Sequence, residues 1–139
     1  MMVVVLQGKV ESGVGHGARF VSLEWVRDAV RRAVGFDPYP GTLNLRLSDS
    51  DMLARWREAR TRVALRLAPP SPEQCGGRLV PVLVTPAVPA CVIVPDITRY
   101  GDDVLELVAS VHLRSRLRLQ DDDLLTLKVE AGRELVPPG

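Results

Sequence analysis

Aromatic side chains are scarce, 4% of 139 residues, which leaves few platforms for stacking the bases of single-stranded nucleic acid. Neither sign of charge is in excess: 18 basic against 17 acidic residues give a formal charge of +1, so no nucleic-acid coat is expected. No uninterrupted apolar run approaches the roughly 18 residues of a membrane helix, so no membrane partner is expected. The start, Met1-Met2-Val3-Val4-Val5-Leu6, has no basic n-region and reads as a first strand rather than a signal peptide, which implies a cytoplasmic protein. Cysteine is limited to Cys75 and Cys91, without metal-ligand spacing, and both are expected as reduced structural thiols. None of these absences prevents folding. A chain of this length buries roughly two-thirds of its unfolded surface without a disulfide or structural metal. One domain over 1–135 is expected, with 136–139 as a frayed tail.

What is present is mostly valine and leucine, arranged in short runs. Residues 2–11 read as a strand ending in the glycine-rich turn Ser12-Gly13-Val14-Gly15-His16-Gly17-Ala18. A helix follows, with Ser22 as its cap, Glu24 at the positive end of its dipole and Gly35 as its left-handed terminator. Val26, Ala29, Val30, Ala33 and Val34 recur at helical spacing and leave Arg27, Arg31 and Arg32 to solvent. Phe36-Asp37-Pro38-Tyr39-Pro40-Gly41 is a stiff connector with a sharp bend. Thr42 to Leu47 then alternates, with leucines on one face and Thr42, Asn44 and Arg46 on the other. Asp49 or Ser50 caps a shorter helix running to about Arg60, followed by a strand over 61–67 and a proline-rich loop over 68–72. Further strands are expected over 78–85, 90–94, 104–109 and 124–130, with a helical turn over 111–117 and an acidic turn at Asp121-Asp122-Asp123. Many short strands without βαβ alternation indicate a small, mainly β barrel with α insertions.

Four groups of residues could carry chemistry. The glycines of 13–17 would let backbone N–H groups approach an anion just ahead of a helix. The run is neither a Walker loop nor GxGxxG, and a flexible turn is its plainer reading. Thr42 and Asn44 place two neutral oxygens side by side, a partial shell of the kind Mg²⁺ accepts; taken alone, a polar outer strand face explains them as well. The third group is Thr98, Glu106, His112 and Arg114, in which Glu106 shares a face with Val104 and Val108. If those valines are buried it is a carboxylate at a cavity rim; if they face water it is merely solvated. His112 by itself reads as a surface histidine, and Arg114 offers a planar fork for phosphate. The cluster Arg55, Arg57, Arg60 and Arg62, with Glu58 among it, reads as a solvated helix face.

Taken together, Gly8-Lys9-Val10-Glu11-Ser12-Gly13-Val14-Gly15-His16-Gly17, the run from Gly35 to Leu45, Val94-Pro95 with Thr98, and Leu113-Arg114 ahead of the acidic turn resemble the CTP-dependent riboflavin kinases of archaeal type. Order and spacing agree from about Val3 to Val129. The resemblance implies a six-stranded cradle-loop (riboflavin-kinase-like) β barrel, and phosphoryl transfer from CTP to the 5′-hydroxyl of riboflavin to give FMN and CDP. It implies a nucleotide site at Gly13, Val14, Gly15, His16, Gly17 and Ala18, completed by Val111, His112, Leu113 and Arg114. It further implies Mg²⁺, or Mn²⁺ or another divalent ion, on Thr42 and Asn44, with Thr98 and Glu106 meeting the flavin. Glu106 is the candidate to orient and deprotonate the ribityl hydroxyl. The chain departs from the family pattern with His16 where an acidic residue is frequent, Val111 where a methionine is familiar and His112 where a lysine is. Only Lys9 and Lys128 are lysines, so arginine and metal must neutralise phosphate charge. The expected partners are the small molecules CTP and riboflavin, for a monomer or small homo-oligomer. The competing readings are a non-catalytic nucleotide- or DNA-binding barrel of regulatory type, and a purely structural interaction module.

Overall fold

Most stretches with period-two alternation form strands, and among the described residues six of the seven strands close on themselves. The computed structural model describes residues 2–13, 16–96 and 102–131, so the tail expected at 136–139 lies outside the described residues. In chain order the elements are β1 (Met2–Glu11), α1 (His16–Ser22), α2 (Glu24–Val34), β2 (Leu43–Leu47), α3 (Ser50–Val63), β3 (Leu65–Leu67), β4 (Gly77–Val84), β5 (Val88–Pro95), β6 (Val104–Ala109), α4 (Leu113–Arg116) and β7 (Leu124–Ala131). The sheet order is β3-β4-β5-β6-β2-β1-β7, and β4 also pairs with β7 through Leu83↔Lys128 and Val84↔Leu127. The result is the expected closed six-stranded antiparallel barrel, with β3 outside it.

Alternation divides the barrel wall into two apolar faces. Leu6, Leu45, Val82, Val92, Leu107 and Leu127 are among the side chains that fill the lumen. Trp56, Ala59 and Val63 join the same cluster from α3, so that helix stoppers the barrel. On the outer face, Leu79, Cys91, Ile93 and Val108 meet Phe20 and Val21 of α1 and Val26 and Val30 of α2. β6 therefore has lumen on one side and protein on the other, and all six of its residues are buried. Among the described residues no helix is long and apolar enough to cross a membrane.

Local signals explain most boundaries. Asp49 caps α3 by accepting from the Met52 N–H at 2.9 Å, as the sequence indicated. Gly35 ends α2 in the left-handed region at φ +81°, with its N–H on Arg31 O at 2.9 Å. Three expectations are corrected. Ser22 is not the cap of α2: it closes α1, its hydroxyl donates back to Arg19 O at 2.6 Å, and Leu23 precedes α2 without a side-chain cap. The strand expected over 61–67 begins only at Leu65, because Trp56, Ala59 and Val63 fall on one helical face and keep α3 wound through Val63. His16, Gly17 and Ala18 belong to α1 rather than to a loop, which shortens the glycine turn.

Cys75 and Cys91 are both free thiols; full burial pushes the Cys91 thiol up to about 12, so it is unreactive. Arg66 grips Asp96 through two bonds of 2.7 and 2.8 Å, and Arg57 grips Asp102 through two of 2.7 and 3.1 Å. These arginine hydrogen bonds hold the Asp96 and Asp102 carboxyls below their ordinary range, as Arg31 does for Asp37. A carboxyl with a depressed folded-state value contributes stability above its unfolded value, about pH 4, and loses it as pH falls through the folded value. The melting temperature is therefore expected to stay level from pH 7 to 5 and to drop below about pH 4. Circular-dichroism melts across that range check it, and a midpoint unchanged down to pH 3 would contradict it.

Candidate active site

The connector ahead of β2 is held at both ends. Pro38 is buried, the Tyr39 N–H donates to Ala109 O at 2.7 Å, and Gly41 bends the chain at φ +117°, a value that favours glycine. The bend delivers Thr42 to the start of β2, where its hydroxyl donates to Glu106 Oε2 across a long 3.4 Å bond. Asn44 stands opposite Glu106 in the β2–β6 register and opposite Glu11 in the β1–β2 register. Asn44 and Glu106 are each 5% exposed. Val104 and Val108 are buried too, which settles the two readings of Glu106: it is a buried carboxylate, not a solvated one.

Each partner of this contact lines a different hollow. An open cleft of about 210 Å³ is walled by Tyr39, Thr42, Val111, His112, Leu113 and Arg114. A smaller hollow of about 80 Å³ is bordered by Trp56, Arg60, Val94, Asp102 and Glu106. Thr42 lines the first and Glu106 the second, and their hydrogen bond links the two linings. In the cleft, the His112 ring lies 5.2 Å from the Tyr39 ring at a tilt of 36°, with His112 Nδ1 2.6 Å from Ser115 Oγ. α4 begins at Leu113, so the helical turn expected over 111–117 is shorter, with His112 at its cap position.

Ser12 and Gly13 follow β1 at the end where Glu11 pairs with Asn44. Ser12 Oγ donates to Asp121 at 2.9 Å, and Arg114 Nη1 reaches the same carboxylate at 3.0 Å. The Ser12 and Arg114 hydrogen bonds, in that order of weight, hold the Asp121 carboxyl below the usual range. Among the sequence-indicated residues, the structure thus brings together Thr42, Asn44, Glu106 and Val111 to Arg114. Ala18 sits half-buried in α1, and His16 and Gly17 open that helix. Val14, Gly15 and Thr98 lie outside the described residues.

Sequence reasoning missed several residues. Tyr39 was visible only as part of a stiff connector. Arg57 is exposed, as read, yet pairs with Asp102 at 2.7 Å, whereas Arg60, 3.5 Å from the same carboxylate, is only partly exposed and borders the smaller hollow. The solvated reading holds also for Arg55 and Arg62, which pair along α3 with Asp51 and Glu58. Ser12 and Asp121 were read only as parts of the glycine-rich and acidic turns, and nothing local signalled that they meet.

Among the described residues no three His, Cys, Asp or Glu side chains gather into a metal cage. The Thr42 hydroxyl and the buried Asn44 carboxamide, beside the Glu106 carboxylate, are hard oxygen donors that fit Mg²⁺ as a partial shell.

The family model described as CTP-dep_RFKase, domain of unknown function DUF120, matches residues 10–129. A riboflavin kinase of Aeropyrum pernix is 41% identical over 90% of this chain and 95% of its own length. One from Methanothermobacter thermautotrophicus is 34% identical over 88% of this chain and 97% of its own. One from Archaeoglobus fulgidus is 35% identical over 91% of this chain but only 54% of its own length, so the chain spans about half of that relative. With matches running nearly end to end and a barrel of the expected closure, the chain belongs to the CTP-dependent riboflavin kinase family, phosphotransferases whose acceptor is an alcohol.

Proposed function

We propose that this protein transfers the γ-phosphate of CTP to the 5′-hydroxyl of riboflavin, giving FMN and CDP with Mg²⁺ as cofactor. The supporting observation is the Thr42–Glu106 contact, which links the linings of two hollows, one open and bordered by a guanidinium, the other beside a buried carboxylate. The nucleotide occupies the open cleft, with its phosphates towards Thr42 and Arg114 and the glycine stretch beside them. The ribityl end of riboflavin meets Glu106 in the smaller hollow. Thr42 and Asn44 hold the ion, which when bound neutralises charge on the transferred group.

The ribityl oxygen attacks the γ-phosphorus while the bond from that phosphorus to the β,γ-bridging oxygen breaks. CDP leaves with the electron pair, and the hydroxyl proton passes to a Glu106 carboxylate oxygen. Transfer of this kind needs little covalent help from the protein, so alignment by the two hollows supplies much of the acceleration.

Incubating the protein with riboflavin, Mg²⁺ and each of CTP, ATP, GTP and UTP, then resolving FMN by fluorescence-detected chromatography, tests the proposal. FMN is expected with CTP and is expected to vanish when the metal is chelated. No FMN from any donor refutes it and returns the chain to a non-catalytic nucleotide-binding barrel.

A further inference from the structure

The two segments assigned to the nucleotide lie far apart in sequence yet share one carboxylate. Ser12, immediately before the glycine stretch, donates to Asp121 Oδ2 at 2.9 Å and Oδ1 at 3.2 Å across 109 residues. Arg114, on the wall of the open cleft, donates to Oδ1 of the same side chain through Nη1 at 3.0 Å. The turn that carries Asp121 is fixed by backbone bonds to β1: Val10 N–H to Asp123 O at 2.9 Å and Asp122 N–H to Val10 O at 2.7 Å. The Asp123 carboxylate closes the turn by accepting the Gln120 N–H at 2.8 Å, and Asp122 takes the left-handed φ of +74° that aspartate tolerates. The carboxylate is therefore presented from a rigid base.

We infer that Asp121 is a positioning residue of the nucleotide site, latching the start of the glycine stretch and the Arg114 guanidinium into one unit. The inference rests on the nucleotide reading of the open cleft. Asp121 engages Arg114 through Nη1 alone, and among the described residues the other guanidinium donors have no partner, so they remain available to a phosphate. Asp121 and Arg114 are partly exposed, so the pair adds little to folding stability. Losing the latch should show as misalignment of the site rather than as unfolding.

Four proteins test this: wild type, Asp121→Asn, Ser12→Ala and the double variant, each as the full chain. Asp121→Asn is expected to raise KM for CTP about tenfold, the order of effect of a lost charge-assisted hydrogen bond, while KM for riboflavin and kcat at saturating CTP stay within about twofold. The double variant should be no worse than Asp121→Asn, because Ser12 acts only through that carboxylate. Amide hydrogen exchange without nucleotide should speed up together in residues 10–13 and 113–119 of Asp121→Asn. A KM for CTP within twofold of wild type, or equal damage to both KM values, overturns the latch. Wild-type exchange in both segments overturns it as well. If the wild type makes no FMN, the proposed activity fails instead, and the exchange comparison still decides whether the two segments are coupled.

Discussion

Glu106→Gln should lower the rate of FMN formation about 100- to 10,000-fold, the usual contribution of a positioned general base. The substitution conserves volume at a site only 5% exposed, and the new amide oxygen can still accept from the Thr42 hydroxyl 3.4 Å away. What disappears is the negative charge and the oxygen that takes the ribityl proton. Glu106 faces the smaller hollow and not the wall carrying His112 and Arg114, so CTP should bind the variant with nearly unchanged affinity. Initial rates at saturating substrates, with calorimetric titration of CTP alone, separate the two effects. Wild-type turnover would remove Glu106 from the chemistry. Lost CTP binding with intact turnover per bound nucleotide would move it into the donor site.

Trp56→Ala should cost about 3–5 kcal/mol, the range for truncating a buried aromatic. Trp56 is 1% exposed and is among the largest fully buried side chains of the chain. It joins α3 to the lumen residues and borders the hollow beside Glu106. No other large side chain of α3 is fully buried there, so the cavity would be only partly refilled. Since domains of this size are stable by about 5–15 kcal/mol, the variant should lose a large share of its margin. Urea unfolding followed by circular dichroism should show a lower midpoint with an unchanged slope. A loss below about 1 kcal/mol would mean that α3 does not stopper the barrel.

Much of this architecture was legible because its signals are local. The alternation of Thr42 to Leu47 marked β2, Asp49 marked the start of α3, and Gly35 marked the end of α2. The errors arose where two local signals competed. Residues 61–67 read as a strand by composition, yet Val63 sits seven positions after Trp56 and four after Ala59, and burial of that helical face prevails. Glycines 13–17 read as a loop, yet from His16 onward the chain gains more by winding α1, which brings Phe20 and Val21 onto the barrel wall. Ser22 read as a cap, but as the last residue of α1 its hydroxyl turns back to that helix instead.

The sequence by itself determined which residues share a face, where most elements lie and, through its motif spacing, which family the chain resembles. Only the tertiary structure decided what lies over each face. Period two puts Glu106 with Val104 and Val108 but is silent about whether water or protein covers them, since that depends on the antiparallel neighbours β5 and β2 and on helices packed from elsewhere. Arg57 and Arg60 of the basic α3 face likewise find Asp102 only once the barrel has closed. The meeting of Ser12, Arg114 and Asp121 follows from the β1–β7 register, a long-range pairing for which no short stretch of sequence carries a signal.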